Sequence, residues 1–189
     1  MQRSFAPCSI SPRVGRLFTI GHSTRELPDL ISALKAHSIG TLVDVRAFPM
    51  SRRLPHFNRE TLEQELPAAG VTYLWTKELG GRRGKQPGES PNVALRNASF
   101  RNYADYMLTP GFERAAGELL RWSEAVPTAV MCAERVWFHC HRLMISDWFV
   151  AHGHEVLHID DESPPRAHKL TDVARVREGR LLYTGDRLF

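Results

Sequence analysis

The regular alternation of strand-like and helix-like segments constrains this chain more than any other feature. Short apolar runs of β-branched character recur as "RLFTIGHS", "GTLVDVRA", "GVTYLWTKELGG", "TAVMCAE" and "HEVLHIDD". Between them lie "ELPDLISALKAH", "RETLEQELPAAG", "FRNYADYMLTPGFERAAGELLRWSEA" and "CHRLMISDWFVAHG", in which apolar residues return at helical spacing. Strands that read as nearly continuous apolar runs are buried on both faces, as in a parallel sheet covered by helices. The expectation is a single α/β domain over residues 16–189, Rossmann-like, with a mostly parallel sheet of roughly five strands and helices on both faces. Near the C-terminus, "EGR" between two short apolar runs predicts a hairpin or a final strand pair.

A chain of 189 residues buries a core without help from disulfides. The three cysteines include Cys8, which lies in a Ser-, Pro- and Arg-rich stretch over residues 1–15 read as a loose tail, so reduced thiols in a cytoplasm are expected. That stretch lacks the apolar core of a secretory signal, and no apolar run nears the roughly 20 residues of a membrane helix. No membrane association is expected. A formal charge of +4 favours anionic partners such as phosphate esters or nucleic acid, although arginine far outnumbers lysine, which base composition alone can produce.

In open α/β sheets, ligands bind outside the carboxyl ends of the strands. The first strand ends in Gly21-His22-Ser23, the second in Asp44-Val45-Arg46, the third in Lys77-Glu78-Leu79-Gly80-Gly81 and the fourth in Cys132-Ala133-Glu134. The fourth leads by a short loop to Cys140-His141-Arg142 at the start of a helix. Reactive and charged groups therefore gather at one edge. Each has a plainer role open to it. Ser23 with Glu26 matches the S-x-x-E capping box, His22 after glycine suits a hydrogen-bonded turn, and Asp44 and Arg46 share a strand face and can pair. "LGGRRGK" lacks the spacing of a phosphate loop and reads as a basic loop able to close over an anion. Pro49, Pro55 and Phe57 shape the loop after the second strand, while Phe100, Tyr103 and Tyr106 read as a helix face turned to the core.

Three readings of Cys132, Cys140 and His141 stand open. They are ligands suited to zinc or iron, with Glu134 or His22 as a further ligand, although the spacing is unlike C-x-x-C pairs. Alternatively, Cys132 or Cys140 is a thiolate favoured by arginines and a helix N-terminus, serving as a nucleophile or in a reversible disulfide. Lastly, both cysteines only pack, and Arg142 with the helix N–H groups binds an anion.

"TIGHST", "LVDVRAFPMSRRLPHFN", "ELGG", "FRNYADYM" and "VMCAERVWFHCHR…VLHI", in this order over about residues 16 to 161, resemble the bacterial and archaeal family named domain of unknown function 488. The resemblance places the family's characteristic polar and turn residues on His22, Ser23, Asp44, Arg46, Pro49, Ser51, Phe57, Gly80, Gly81, Cys132, Glu134, Cys140, His141 and Arg142. "RVWFH" departs from the family's short polar loop, and Trp137-Phe138 argues against a wet entrance there. The family implies no settled activity. The residues point to an enzyme acting on a phosphorylated or nucleic-acid-derived substrate. Cys132, Glu134, Asp44 and His22 are its candidate catalytic groups, and Arg46, Ser23, Cys140, His141, Arg142, Gly80 and Gly81 its anion-binding groups. The rival is a non-catalytic nucleic-acid or nucleotide-binding module with a metal-binding or redox-sensing Cys/His cluster.

Overall fold

Each of the five apolar runs forms a strand, and all five are parallel. The computed structural model describes residues 15–185; residues 1–14, with Cys8 and most of the expected tail, and residues 186–189 lie outside the described residues. The strands are β1 (Arg16–Gly21), β2 (Thr41–Asp44), β3 (Thr72–Trp75), β4 (Thr128–Cys132) and β5 (Glu155–Ile159). A two-residue antiparallel strand, β6 (Arg166–Ala167), completes one edge, and the order is β3-β2-β4-β1-β5-β6. The C-terminal hairpin pairs β7 (Ala174–Arg177) with β8 (Arg180–Tyr183) outside this sheet. Its turn residues Glu178 and Gly179 have φ of 50° and 74°, the left-handed conformation a two-residue hairpin turn requires.

Helices α1 (Leu27–Ala36) and α2 (Arg59–Ala68) cover one face; α3 (Ala98–Met107), α4 (Pro110–Ala125) and α5 (Arg142–Ala151) cover the other. The longest helical segment of the sequence divides into α3 and α4 because Pro110 opens a new first turn and Thr109 caps it, accepting from the Phe112 N–H. Asn97 caps α3 in the same way, accepting from the Ser99 and Phe100 N–H groups. Strand residues divide by parity between two cores. Leu17, Val43, Val130 and Val156 face α3, α4 and α5, whereas Phe18, Ile20, Leu42, Ala129, Met131 and Ile159 face α1 and α2. Tyr103 lies fully buried in the first core with Phe100 and Tyr106 packed against it, as their spacing indicated.

Strand β4 lies between β2 and β1. Its neighbours continue into α1 and α2 on one face, while β4 continues into α5 on the other. Strand connections therefore diverge around the carboxyl end of β4, the place where open α/β sheets leave a crevice.

Candidate functional site

Cys132 closes β4 two residues after Val130, so its side chain turns toward the α3–α5 core. A short 3-10 turn, Trp137–His139, returns the chain so that Cys140 and His141 stand at the start of α5. His141 Nδ1 lies 3.4 Å from Cys140 Sγ and 3.9 Å from Cys132 Sγ. The three donor atoms lie within 4.8 Å of one another, all three residues are buried, and the cysteines form no disulfide.

The orientation of His141 follows from its other nitrogen. Nε2 is 3.1 Å from the Val45 carbonyl, which can only accept, so Nε2 carries the proton and the Nδ1 lone pair faces both sulfurs. The ring is held between Gly81 and Tyr103. A Cβ at Gly81 would fall 2.4 Å from Nδ1, and the Tyr103 ring centroid is 5.2 Å away. Gly80 makes a similar close approach, where a Cβ would fall 3.0 Å from Ala47 Cα. The two glycines thus let the β3 turn pack on the β2 end and on His141.

Arg142 is almost wholly buried, and its Nη2 donates to the carbonyls of Glu134 and Arg135 while its Nε has no partner. No carboxylate pairs with it among the described residues. The hydrogen bond from Cys132 and the charge of Arg142 hold the Cys140 thiol below its ordinary value, and that same bond, with burial, pushes the Cys132 thiol up. The two thiols are thus pushed in opposite directions, Cys140 toward the thiolate and Cys132 toward the protonated form.

A second cluster occupies the α1/α2 side of the same edge. Asp44 is fully buried and accepts from the Arg46 backbone N–H at 2.9 Å, from Arg46 Nε and Nη2, and from the Tyr73 hydroxyl at 2.7 Å. Arg46 Nη2 also donates to the Phe57 carbonyl, and Nη1 donates to His22 Nε2 at 3.2 Å. One Nη1 hydrogen remains, on a side chain that lines the cleft above Cys132. His22 Nδ1 bonds the Ser23 carbonyl at 2.9 Å and the ring stacks on Phe57 at 4.2 Å. Burial, and next the charge of Arg46, lower its pKa to about 4, so it is neutral at pH 7 with both nitrogens committed.

Several expectations change at this point. Asp44 and His22 spend their hydrogen bonds on Arg46 and on neighbouring backbone and side-chain groups. Arg142 uses Nη2 as a clamp on the 134–135 backbone, and its side chain lines a separate cavity with Trp137, His158 and Arg166. Ser23 does not form a capping box: α1 starts at Leu27 with Glu26 as its N-cap, and Ser23 is left-handed with φ of 50°. Pro28 fixes the first turn and sets that later start. The "GGRRGK" loop is tied down, since Arg83 donates to the carbonyls of Lys77, Glu78 and Gly80 and lies 3.8 Å over the Tyr106 ring. Glu134 keeps an exposed side chain on the rim of the cleft.

Sequence reasoning missed three features. Tyr73 completes the Asp44 cluster through the β2–β3 register, in which Leu42 is opposite Tyr73. The Val45 carbonyl that orients His141 is a backbone atom with no signature. A buried chain of hydrogen bonds runs from Thr19 Oγ1 to His158, on to His168 and then to Asp147, at 2.7, 3.0 and 2.9 Å. The signal for this chain was a histidine inside the apolar strand "EVLHI".

The cleft over Cys132, Cys140 and His141 holds about 540 Å³ and is also lined by Arg46, Phe48, Arg82 and Phe100. It meets a second lobe of about 440 Å³ that reaches His22 and Ser23. Among the described residues no helix is long and apolar enough to cross a membrane. No curated protein and no solved structure matches the chain. The family model for the domain of unknown function DUF488 matches residues 26–149, more than half of the sequence, and the chain belongs to that family.

Proposed function

We propose that this protein is an enzyme that binds one soft divalent ion, zinc or iron(II), through Cys132, Cys140 and His141, and acts on a phosphate-bearing substrate in the cleft above them. The observation that carries the reading is the donor spacing. Tetrahedral bonds of about 2.3 Å to sulfur and 2.0–2.1 Å to nitrogen separate S from N by about 3.5 Å, against the 3.4 and 3.9 Å found here. His141 has the outer partner usual for a ligating imidazole, its second N–H donating to a carbonyl. Three protein ligands at the floor of an open cleft leave a fourth position for substrate or water, the pattern of catalytic sites. When bound there, the ion supplies Lewis acidity and a more acidic water.

The chain's own residues divide the remaining work. Arg46, braced by Asp44, His22 and Phe57, presents its remaining N–H to a substrate oxygen. Arg82 adds an exposed positive charge at the rim, and Glu134 is the carboxylate able to exchange a proton with a bound molecule.

A second reading has its own support. With its pKa lowered by Cys132 and Arg142, Cys140 is suited to nucleophilic attack without a metal. Elemental analysis of protein purified without chelator, beside Cys132→Ser and Cys140→Ser, separates the two. Stoichiometric zinc or iron lost from both variants is the expected result. Protein that stays metal-free after zinc loading, with one thiol reacting fast at neutral pH, overturns the metal reading in favour of the nucleophile.

A further inference from the structure

The loop between β2 and α2 displays apolar side chains to solvent from a tightly held backbone. Phe48 is 66% and Met50 73% exposed. The loop is not loose. The Arg59 N–H donates to the Pro49 carbonyl at 2.9 Å, the Ser51 N–H to Asn58 Oδ1 at 2.6 Å, and Trp75 Nε1 to the Arg46 carbonyl at 2.9 Å. Exposed apolar groups on a fixed backbone are preorganised to meet something flat and apolar.

Cationic residues adjoin them. Arg82 lies over the Phe48 ring at 5.8 Å, and Arg52 and Arg53 follow in the same loop, exposed. None of these three arginines forms an ion pair with another described residue. Both lobes of the cleft share Arg46, Phe48, Met50 and Glu134, so they adjoin as one trough, with Cys132 and His141 lining the first lobe. Among the described residues Glu134 is the one carboxylate lining either lobe. A trough with an aromatic platform and the unpaired Arg82 on its wall, beside a loop that carries the unpaired Arg52 and Arg53, has the recognition chemistry of a single nucleic-acid strand, in which bases stack and phosphates follow positive charge. Its positions pair apolar with cationic groups, where a compact anion would need the cations alone.

We infer that the substrate is single-stranded nucleic acid, with a base stacked on Phe48 and its flanking phosphates on Arg82 and on Arg52 or Arg53; this rests on the reading of the cleft as an active site. The test is fluorescence anisotropy with a labelled oligothymidylate about a dozen nucleotides long, over a salt series. Binding that weakens steeply with salt is expected, with a shallower slope in Arg82→Gln and in Arg52→Gln/Arg53→Gln. Phe48→Ala should bind about tenfold more weakly, and Phe48→Trp should keep affinity and lose its indole emission on binding. All of these changes are at exposed side chains, and metal content is measured on every variant. No binding at low salt, equal binding of a duplex of the same length, or affinity untouched by Phe48→Ala overturns the inference. So does thymidine monophosphate competing as well as the strand at equal nucleotide concentration. Metal retained without oligonucleotide binding sinks this inference alone, and oligonucleotide binding by protein that stays metal-free after zinc loading sinks the metal reading alone.

Discussion

Replacing Asp44 by alanine leaves the Arg46 guanidinium almost fully buried beside a neutral methyl group. The carboxylate accepts from three nitrogens of Arg46, its backbone N–H included, and from the Tyr73 hydroxyl, in a site with 0% exposure at Asp44 and 6% at Arg46. Breaking a buried ion pair from one side costs about 3–5 kcal/mol, because the remaining charge loses its compensation. The orphaned Tyr73 hydroxyl adds about 1–3 kcal/mol, not fully additive with the first. A chain of this size loses about 2–4 °C of Tm per kcal/mol, so Asp44→Ala should melt at least about 6 °C lower. The comparison is Glu63→Ala, which breaks the Arg59–Glu63 pair of α2 where both side chains are about 40% exposed. That change should cost less than about 1 kcal/mol. The triple change Asp44→Leu, Arg46→Met, Tyr73→Phe should recover most of the loss, since well-packed apolar groups can replace a buried ion pair. Thermal melts and urea titrations followed by circular dichroism provide the measurement. If Asp44→Ala shifts the midpoint no further than Glu63→Ala, Asp44 and Arg46 do not form the buried brace described here, and the argument that Arg46 is held for the cleft falls with it.

Gly81→Ala would place a Cβ 2.4 Å from His141 Nδ1 and force the ring away from the sulfurs. Zinc affinity, measured against a chromogenic chelator, should fall more than about tenfold while the circular dichroism spectrum stays unchanged; undiminished affinity would show that His141 is not a ligand. Acid stability should report two histidines. Burial lowers His22 to about 4 and His158 to about 3, so both are neutral in the fold and take up protons more readily once unfolded. Stability is therefore full above about pH 6.5 and is lost as pH falls toward the folded values, by about 1.4 kcal/mol per pH unit for each histidine. His158→Gln should flatten the dependence of the urea midpoint between pH 6.5 and 4 by one proton's worth, and an unchanged slope would refute the burial argument for that residue.

The five parallel strands were legible because a strand covered on both faces needs an unbroken apolar run, and "TLVD" and "TAVMC" have no other use for one. The gathering of polar groups at the carboxyl edge followed from the same reading. Their pairing was not legible. Asp44 meets Tyr73 only through the β2–β3 register, and Cys140 meets Cys132 only through the turn Trp137–His139, both set by tertiary contacts. Ser23 shows the limit of local motifs. The capping-box spacing was present, but Pro28 and the left-handed turn at Ser23 moved the helix start three residues on. The clamp that Arg142 makes on the Glu134 and Arg135 carbonyls was not legible either, because its acceptors are backbone atoms.

The hydrogen-bonded chain from Thr19 to Asp147 ties together parts of the protein that lie on both sides of the family's matched stretch. Thr19 is at the middle of β1, the strand between β4 and β5, yet the family's matched stretch starts only at residue 26. At its other end Asp147 accepts from the Thr171 hydroxyl and backbone N–H and from the Tyr183 hydroxyl, all beyond residue 149. A fragment cut to 26–149 would expose the inner edge of β4 along its whole length and bury the Asp147 carboxylate without a donor from His168, Thr171 or Tyr183. The stretch that the family model matches and the stretch over which these hydrogen bonds close are thus different lengths of the same chain, although Cys132, Cys140 and His141 lie in both.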